Sequence, residues 1–320
     1  MTDTWTWATV TQASPLRIKV DGDTTALDAT TGDLVGSLAV SDRVRVHLHS
    51  DGIIVTGIQG GGNRSNPNLL INSNFMVNQR GYVSGTDLAL NAYGFDRWKA
   101  STATSRMTFT TAPQGQQVTI ASGDSFAQLI ERANVPAGTY TLSWQGTTSG
   151  LAVNDGGGAS SALSPITVTL DGSANVRVQF APGTLSNVKL ERGPTATPYQ
   201  PPIYADALRA CMRYYYNPLL DITNGDANIA QGTADSTTHA RIILPLPVHM
   251  RATPTLVTSG AFGLYNGSTV ALTNMSLSGW TTRAVPVLYV TVASGLTANR
   301  AYLLKRNASA SAALAFDARL

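Results

Sequence analysis

The sequence predicts an all-β protein, and three observations carry that prediction. Apolar and polar residues alternate along many short runs, which is the period of a strand. Asp-Gly and Asn-Gly pairs punctuate these runs and supply turn chemistry. Only one stretch, 204–216, places its apolar residues at helical spacing. A chain of 320 residues is long enough for two or three cores. The order expected is a small barrel over 1–62, a sandwich over 63–200, a short helix over 201–218 and a β-rich domain over 219–320.

The barrel opens with Leu16, Ile18 and Val20 alternating with Arg17 and Lys19, and Asp21-Gly22 turns the chain. Arg43 to His49 alternates strictly, with Val44, Val46 and Leu48 inward. Asp51-Gly52 returns it into Ile53-Ile54-Val55 as a hairpin. Gly60 to Asn63 reads as a flexible exit, and Asn63 to Asn66 as a linker.

In the second module, strands are expected at Leu69–Ile71, Met107–Thr111, Gln117–Ile120, Phe126–Ile130, Tyr140–Trp144, Thr167–Leu170, Val176–Phe180 and Val188–Leu190. Turns fall at Pro113-Gln114-Gly115, Pro136-Ala137-Gly138 and Asp171-Gly172, and Gly156 to Gly158 reads as a loose loop. Many short strands at regular spacing make a sandwich. Pro201-Pro202 stops it.

The helix is expected from Tyr204 to Tyr216. Tyr204, Leu208, Cys211, Met212 and Tyr215 form one apolar stripe, while Asp206, Arg209 and Arg213 lie off it and Pro218 ends it. So short a helix is not stable alone. Its stripe is buried either on the flanking β-domains or against copies of itself. Beyond it, strands are expected at Ala240–Leu244, near Thr255-Leu256, at Val285–Val292 and at Arg300–Leu304, with a hairpin turn at Asn266-Gly267.

Composition narrows the partners. Hydrophobic residues make up 43% and charged residues 13%, so real cores are affordable and the surface is mostly neutral and polar. Such a surface suits a large assembly or saccharides. A net charge of +3 without any Lys/Arg run leaves no phosphate-tracking footprint, so no nucleic-acid partner is expected. Cys211 is the single cysteine, which excludes an intrachain disulfide and fits folding in a reducing cytosol. Met1–Val10 lacks the basic and apolar regions of a secretory leader, and no apolar run reaches spanning length, so no membrane insertion is expected.

Catalytic signatures are absent: the chain carries no phosphate loop, nucleophile elbow, HExxH or CxxC. His47 and His49 share a strand face with Arg43 and Arg45 and lack a third ligand nearby, which reads as a solvated face and not a metal site. Asp21, Asp51 and Asp171 each precede glycine and serve turns. Asp96, Asp124, Glu131 and Asp155 are the carboxylates from which a glycosidase pair would come, but spacing alone does not pair them. The expectation is no enzyme, no metal and no cofactor. Sugars stack on flat aromatic faces and hydrogen-bond planar polar groups. Trp144 shares one strand face with Tyr140 and Leu142 and is expected in the core; Tyr82 and Tyr93 flank loops and are the sandwich's ligand candidates.

Several motifs carry a family resemblance. The sandwich opens with PNLLINSNF at 67–75, continues with FDRW at 95–98 and closes with NVKLERG at 187–193, followed by Thr197-Pro198-Tyr199. The first module reads SPLRIKVDGD and DRVRVHLHSDGIIVTGIQGG, and the later chain carries ALRACMRYYY and LPVHMRATPTL. Together these resemble tail fibre and minor tail proteins of tailed bacteriophages, with an OB-like N-terminal module and a carbohydrate-binding-type jelly roll. The resemblance implies that residues 1–62 dock to other tail or baseplate proteins. It implies that Trp98 packs inside, and that the helix stripe is the neck of a homotrimer. It makes 219–320 a receptor-binding β-sandwich domain whose best contact residues are Tyr265, Asn266, Trp280 and Arg283. The partner would be host cell-surface polysaccharide, and the location the virion tail after synthesis in host cytoplasm. Relatives often hold calcium through acidic residues in the opening strand and before the closing one; here those places read Asn74, Met76 and Ser186-Asn187, so no calcium is expected. Two alternatives stand beside this reading: a structural minor tail protein without receptor contact, and a polysaccharide-degrading tail enzyme.

Overall fold

The structure is a computed structural model, and it describes residues 4–31, 38, 42–58, 66–158 and 160–320. It is all-β apart from one α-helix and one short 3-10 turn among the described residues. The chain falls into two compact units: Met1–Pro67 with Thr195–Gln200, and Asn68–Pro194 with Pro201–Leu320. The sandwich and the C-terminal module therefore belong to one unit. The expected glycine exit and linker over 60–65 lie outside the described residues.

The first unit holds β1 (Thr4–Ala13), β2 (Leu16–Val20), β3 (Leu27–Asp28), β4 (Thr30–Thr31), β5 (Arg43–His49) and β6 (Gly52–Ile58). Their order across the sheet is β3-β2-β1-β5-β6-β4. The outermost strands β3 and β4 are separated only by Ala29. A single residue reaches at most about 3.6 Å. The two edges must therefore meet, and the sheet rolls into a small barrel. Ala8, Val10, Ile18, Val20, Val44, Val46 and Val55 fill it, which is the parity the alternating strands dictate.

The sandwich is built from β7 (Asp87–Ala89), β8 (Lys99–Ala100), β9 (Thr104–Ala112), β10 (Gly115–Ile120), β11 (Phe126–Ile130), β12 (Gly138–Gln145), β13 (Gly150–Asn154), β14 (Ile166–Leu170), β15 (Val176–Phe180) and β16 (Gly183–Arg192). One sheet runs β14-β12-β16-β10-β9-β7 and the other β13-β15-β11-β8. Met107, Val118, Leu142 and Leu190 of the first meet Phe126, Val176, Val178 and Phe180 of the second in one core. Trp98 lies wholly buried in it, 5.0 Å from the Phe75 ring, and its Nε1 donates to Asn72 O at 3.0 Å. Trp144 is likewise core, edge-on to Phe180 at 5.1 Å.

The expected strand at Leu69–Ile71 is a turn region instead. Asn72 takes a positive φ of 55° there, and its side chain donates to Val77 O and accepts from Val77 N–H. Local side-chain bonding outcompetes the ladder. The segment still lies along the closing strand: Leu69 N donates to Leu190 O at 2.9 Å, and Asn68 Nδ2 to Val188 O at 2.8 Å.

Helix α1 (Tyr204–Met212) is shorter than its stripe predicts. Tyr214 is already outside it, and β17 (Tyr215–Tyr216) joins a three-stranded sheet. The C-terminal strands are β18 (Asn228–Ala234), β19 (His239–Ile243), β20 (Thr255–Ser259), β21 (Phe262–Tyr265), β22 (Thr269–Leu277), β23 (Val287–Val292), β24 (Ala301–Arg306) and β25 (Ala313–Asp317). The expected C-terminal sandwich is a closed barrel, β18-β19-β23-β22-β21-β24, with β17-β25-β20 as a separate sheet. Glycines explain the closure. A Cβ on Gly232 of β18 would lie 1.8 Å from the Arg241 backbone oxygen, and one on Gly263 of β21 would lie 2.6 Å from the Thr269 methyl. At Gly232 the obstacle is backbone, so only glycine lets the strands approach so closely; at Gly263 it is a side-chain methyl that would have to shift.

Candidate functional site

Burial sorts the candidate residues first. Tyr82 is buried; its hydroxyl lies 2.8 Å from Thr86 O and 2.9 Å from Met107 O, and its ring packs on Phe95 and Phe109. Tyr93 is buried too, with its hydroxyl donating to Leu320 O at 3.0 Å. Tyr82 is spent in the core, so that expectation of ligand stacking is corrected; Tyr93 is too buried to offer a flat face for stacking, although it lines an open depression with Leu90, Asn91 and Lys99. A loop-flanking tyrosine with a satisfied hydroxyl gains more from burial than from exposure.

The four C-terminal candidates do not converge. Tyr265 and Asn266 sit at the β21–β22 hairpin, whereas Trp280 and Arg283 follow the far end of β22. That nine-residue strand separates them by roughly 25 Å. Tyr265 is 40% exposed, with Lys305 Nζ 5.8 Å from its ring centre. Arg283 holds the chain together: its carbonyl accepts from Met250 N–H at 2.9 Å and its Nη1 reaches Arg251 O at 3.5 Å.

Trp280 acquires different neighbours. It is 62% exposed, the most open tryptophan of the chain, and the Arg241 guanidinium lies 4.2 Å from its ring centre. Arg241 Nε is 2.9 Å from Asp235 Oδ2, which fixes the guanidinium plane against the indole. Arg241 stands opposite Tyr289 across the β19–β23 ladder, and Tyr289 stacks on His239 at 5.2 Å. Alternation puts these groups outside, because Ala240, Ile242, Leu288 and Val290 on the same strands are fully buried. Ile243, next outward on β19, is exposed. The outer barrel face thus offers an open aromatic platform bordered by planar hydrogen-bonding groups. Strand parity alone marks Arg241 as outward; its meeting with Trp280 needs the long β22–β23 loop and has no local signal.

The first unit carries a second aromatic surface. Trp5 and Trp7 are 51% and 40% exposed on β1. Trp5 stacks on His47 with ring centres 4.3 Å apart, and Arg45 lies 4.8 Å from its ring centre. The sequence signal is plain in retrospect: Trp5 and Trp7 have the opposite parity to buried Ala8 and Val10.

The stripe expected to form a neck is largely consumed within the chain. Cys211 is fully buried with Ala207 and Val77, and Ile71 and Leu208 pack on that cluster. Burial pushes the Cys211 thiol well above its ordinary range. Tyr215 lies buried under Arg80, Met212 is half-buried and only Tyr204 is exposed. The correction has a simple cause. A nine-residue helix needs support, and the 71–77 turn of the sandwich supplies it.

Among the described residues, no group of three or more His, Cys, Asp or Glu side chains stands together as a metal site would. Among the described residues, no helix is long and apolar enough to cross a membrane. No protein-family model matches the chain, and no curated protein matches it.

Proposed function

We propose that the chain is a structural and adhesive component of a bacteriophage tail, a tail fibre or receptor-binding protein that engages host cell-surface glycan through its C-terminal barrel. The observation that carries this reading is the exposed Trp280 ring held by Arg241 and Asp235. An open indole braced by a guanidinium suits the C–H face of a sugar ring. Motif resemblance supplies the phage context, and the open Trp5–Trp7 face supports docking of the first unit to another tail protein. Assembly as a homotrimer belongs to the same reading, since weak single contacts gain from repetition.

The test is a host-glycan array probed with the whole chain and with Trp280→Ala. Specific retention that falls about ten-fold in the variant is expected. Absence of glycan retention by the wild type, with intact incorporation into tails, would leave a structural minor tail protein. Sedimentation decides the assembly: a single-chain species at high concentration removes the trimer.

A further inference from the structure

The outer face of the four-stranded sandwich sheet has a floor and walls that no fold requirement explains. Ala127, Leu129 and Val153 are buried there yet lie outside the core between the sheets. Ala127 stands between Lys99 on one side and Gln179 on the other, and Leu129 stands opposite Arg177. Period-two alternation puts all of these on one face. An open depression of about 300 Å³ has Leu129 in its lining, and a second of about 490 Å³ adjoins it, sharing Leu90, Asn91 and Lys99. Ser101, Asp155 and Arg177 line the first, and Arg319 the second.

The electrostatics of this groove are unbalanced. Lys99 is half-buried and makes no side-chain hydrogen bond or ion pair among the described residues. Burial lowers its pKa; Asp155 opposes that, while Arg97, Arg177 and Arg319 add to it. Arg177 spends Nη1 on Gln179 Oε1 at 2.7 Å and Nη2 on Gly157 O at 3.0 Å, but its buried Nε has no acceptor. A half-buried ammonium without a partner, beside a guanidinium that lines the same depression, is a standing cost unless something anionic offsets it.

We propose that this groove is a second ligand site, distinct from the Trp280 face, and that it takes an anionic saccharide whose carboxylate or phosphate sits between Lys99 and Arg177. Asn91 and Ser101 are placed for ring hydroxyls, and the Leu129 floor for the apolar face of the ring. Asp155 on the rim selects against binding of two adjacent negative charges.

Isothermal titration of the full chain with glucuronate, glucose 1-phosphate and glucose tests this. Either or both charged sugars are expected to bind, more weakly as salt rises, and glucose is not. The two charged sugars separate a carboxylate site from a phosphate site. Lys99→Met is expected to weaken binding by roughly ten-fold and Lys99→Arg to retain most of it, while Trp280→Ala leaves it unchanged. Thermal unfolding of each variant checks that the fold is kept. Equal binding of glucose, no binding of either charged sugar at millimolar concentration, or unaltered affinity in folded Lys99→Met would overturn the proposal. Loss on Trp280→Ala would overturn the claim of a separate site.

Discussion

The Arg80 guanidinium lies 3.6 Å from the centre of the Tyr215 ring. Arg80 belongs to the sandwich, and Tyr215 to the strand that follows the helix, so this contact ties the two modules of the second unit. The same guanidinium reaches Asp317 of β25 at 3.5 Å, and Gln79 beside it donates to Tyr215 O at 2.8 Å. Asp317 is almost wholly buried and also meets Arg319 at 3.2 Å. Arg80→Ala removes a ring cover and one of two cations from a buried carboxylate. We expect a loss of about 3 kcal/mol in urea unfolding. Arg80→Lys should recover little of it, because an ammonium cannot lie flat on the ring.

Leu208 carries a prediction that separates two roles for the helix. It packs on Val77, Ala207 and Cys211 of its own chain. Leu208→Asp therefore places a carboxylate against an apolar cluster and should cost about 2 kcal/mol of folding stability. Paired melting and sedimentation check this. A lowered melting temperature with unchanged mass is the expected result; dissociation without destabilisation would return the stripe to an interface between copies.

How far the sequence reaches depends on whether a residue's surroundings are local. Val44 and Val46 of β5 and Trp144 are legible, because period-two alternation and turn pairs act over a few residues, whereas Trp98 is expected inside only through the motif resemblance. The FDRW motif shows where that ends. Trp98 is core as expected, but its neighbours are spent elsewhere: Asp96 accepts from Gln79, and Arg97 lies 3.5 Å from the Tyr214 ring centre. Those partners come from distant segments. The stripe from Tyr204 to Tyr215 was legible as apolar, yet nothing in its spacing names the surface that covers it. The Lys99–Arg177 groove is invisible to sequence for the same reason: β8 and β15 become near neighbours only through β11.

Asp96 gives the second unit a pH dependence. Burial pushes its carboxyl up to about 6, although Gln79 donates to it from N at 2.6 Å and Nε2 at 2.9 Å. An unfolded aspartate titrates near about 3.9. Between those values the folded chain keeps a proton that the unfolded chain releases. The stabilising contribution of this group is therefore full below about pH 4, declines as pH rises and is gone above about pH 6. The span is on the order of 3 kcal/mol. Asp96→Asn lacks the titration, so the stability of wild type minus variant should fall by roughly that amount between acidic and neutral pH. Urea unfolding of both proteins across this range measures it; a flat difference would show that Asp96 titrates normally.

Gly232 sets the last prediction, because it tests barrel closure at one atom. Its strand β18 pairs with both β19 and β24, so it joins the two ends of the sheet. Gly232 stands opposite Ile242 on one side and Tyr302 on the other. A methyl group there would meet the Arg241 backbone oxygen at 1.8 Å, and backbone cannot rotate aside as a side chain can. Gly232→Ala must part the β18–β19 ladder or bend it, at a cost above about 3 kcal/mol. Gly279 is the matched control, since a Cβ there meets nothing within 4 Å. Hydrogen exchange locates the damage: amides of β18 and β19 should lose protection in Gly232→Ala while those of the sandwich core keep theirs. Wild-type protection throughout the barrel in that variant would mean that the strands do not approach as closely as closure requires.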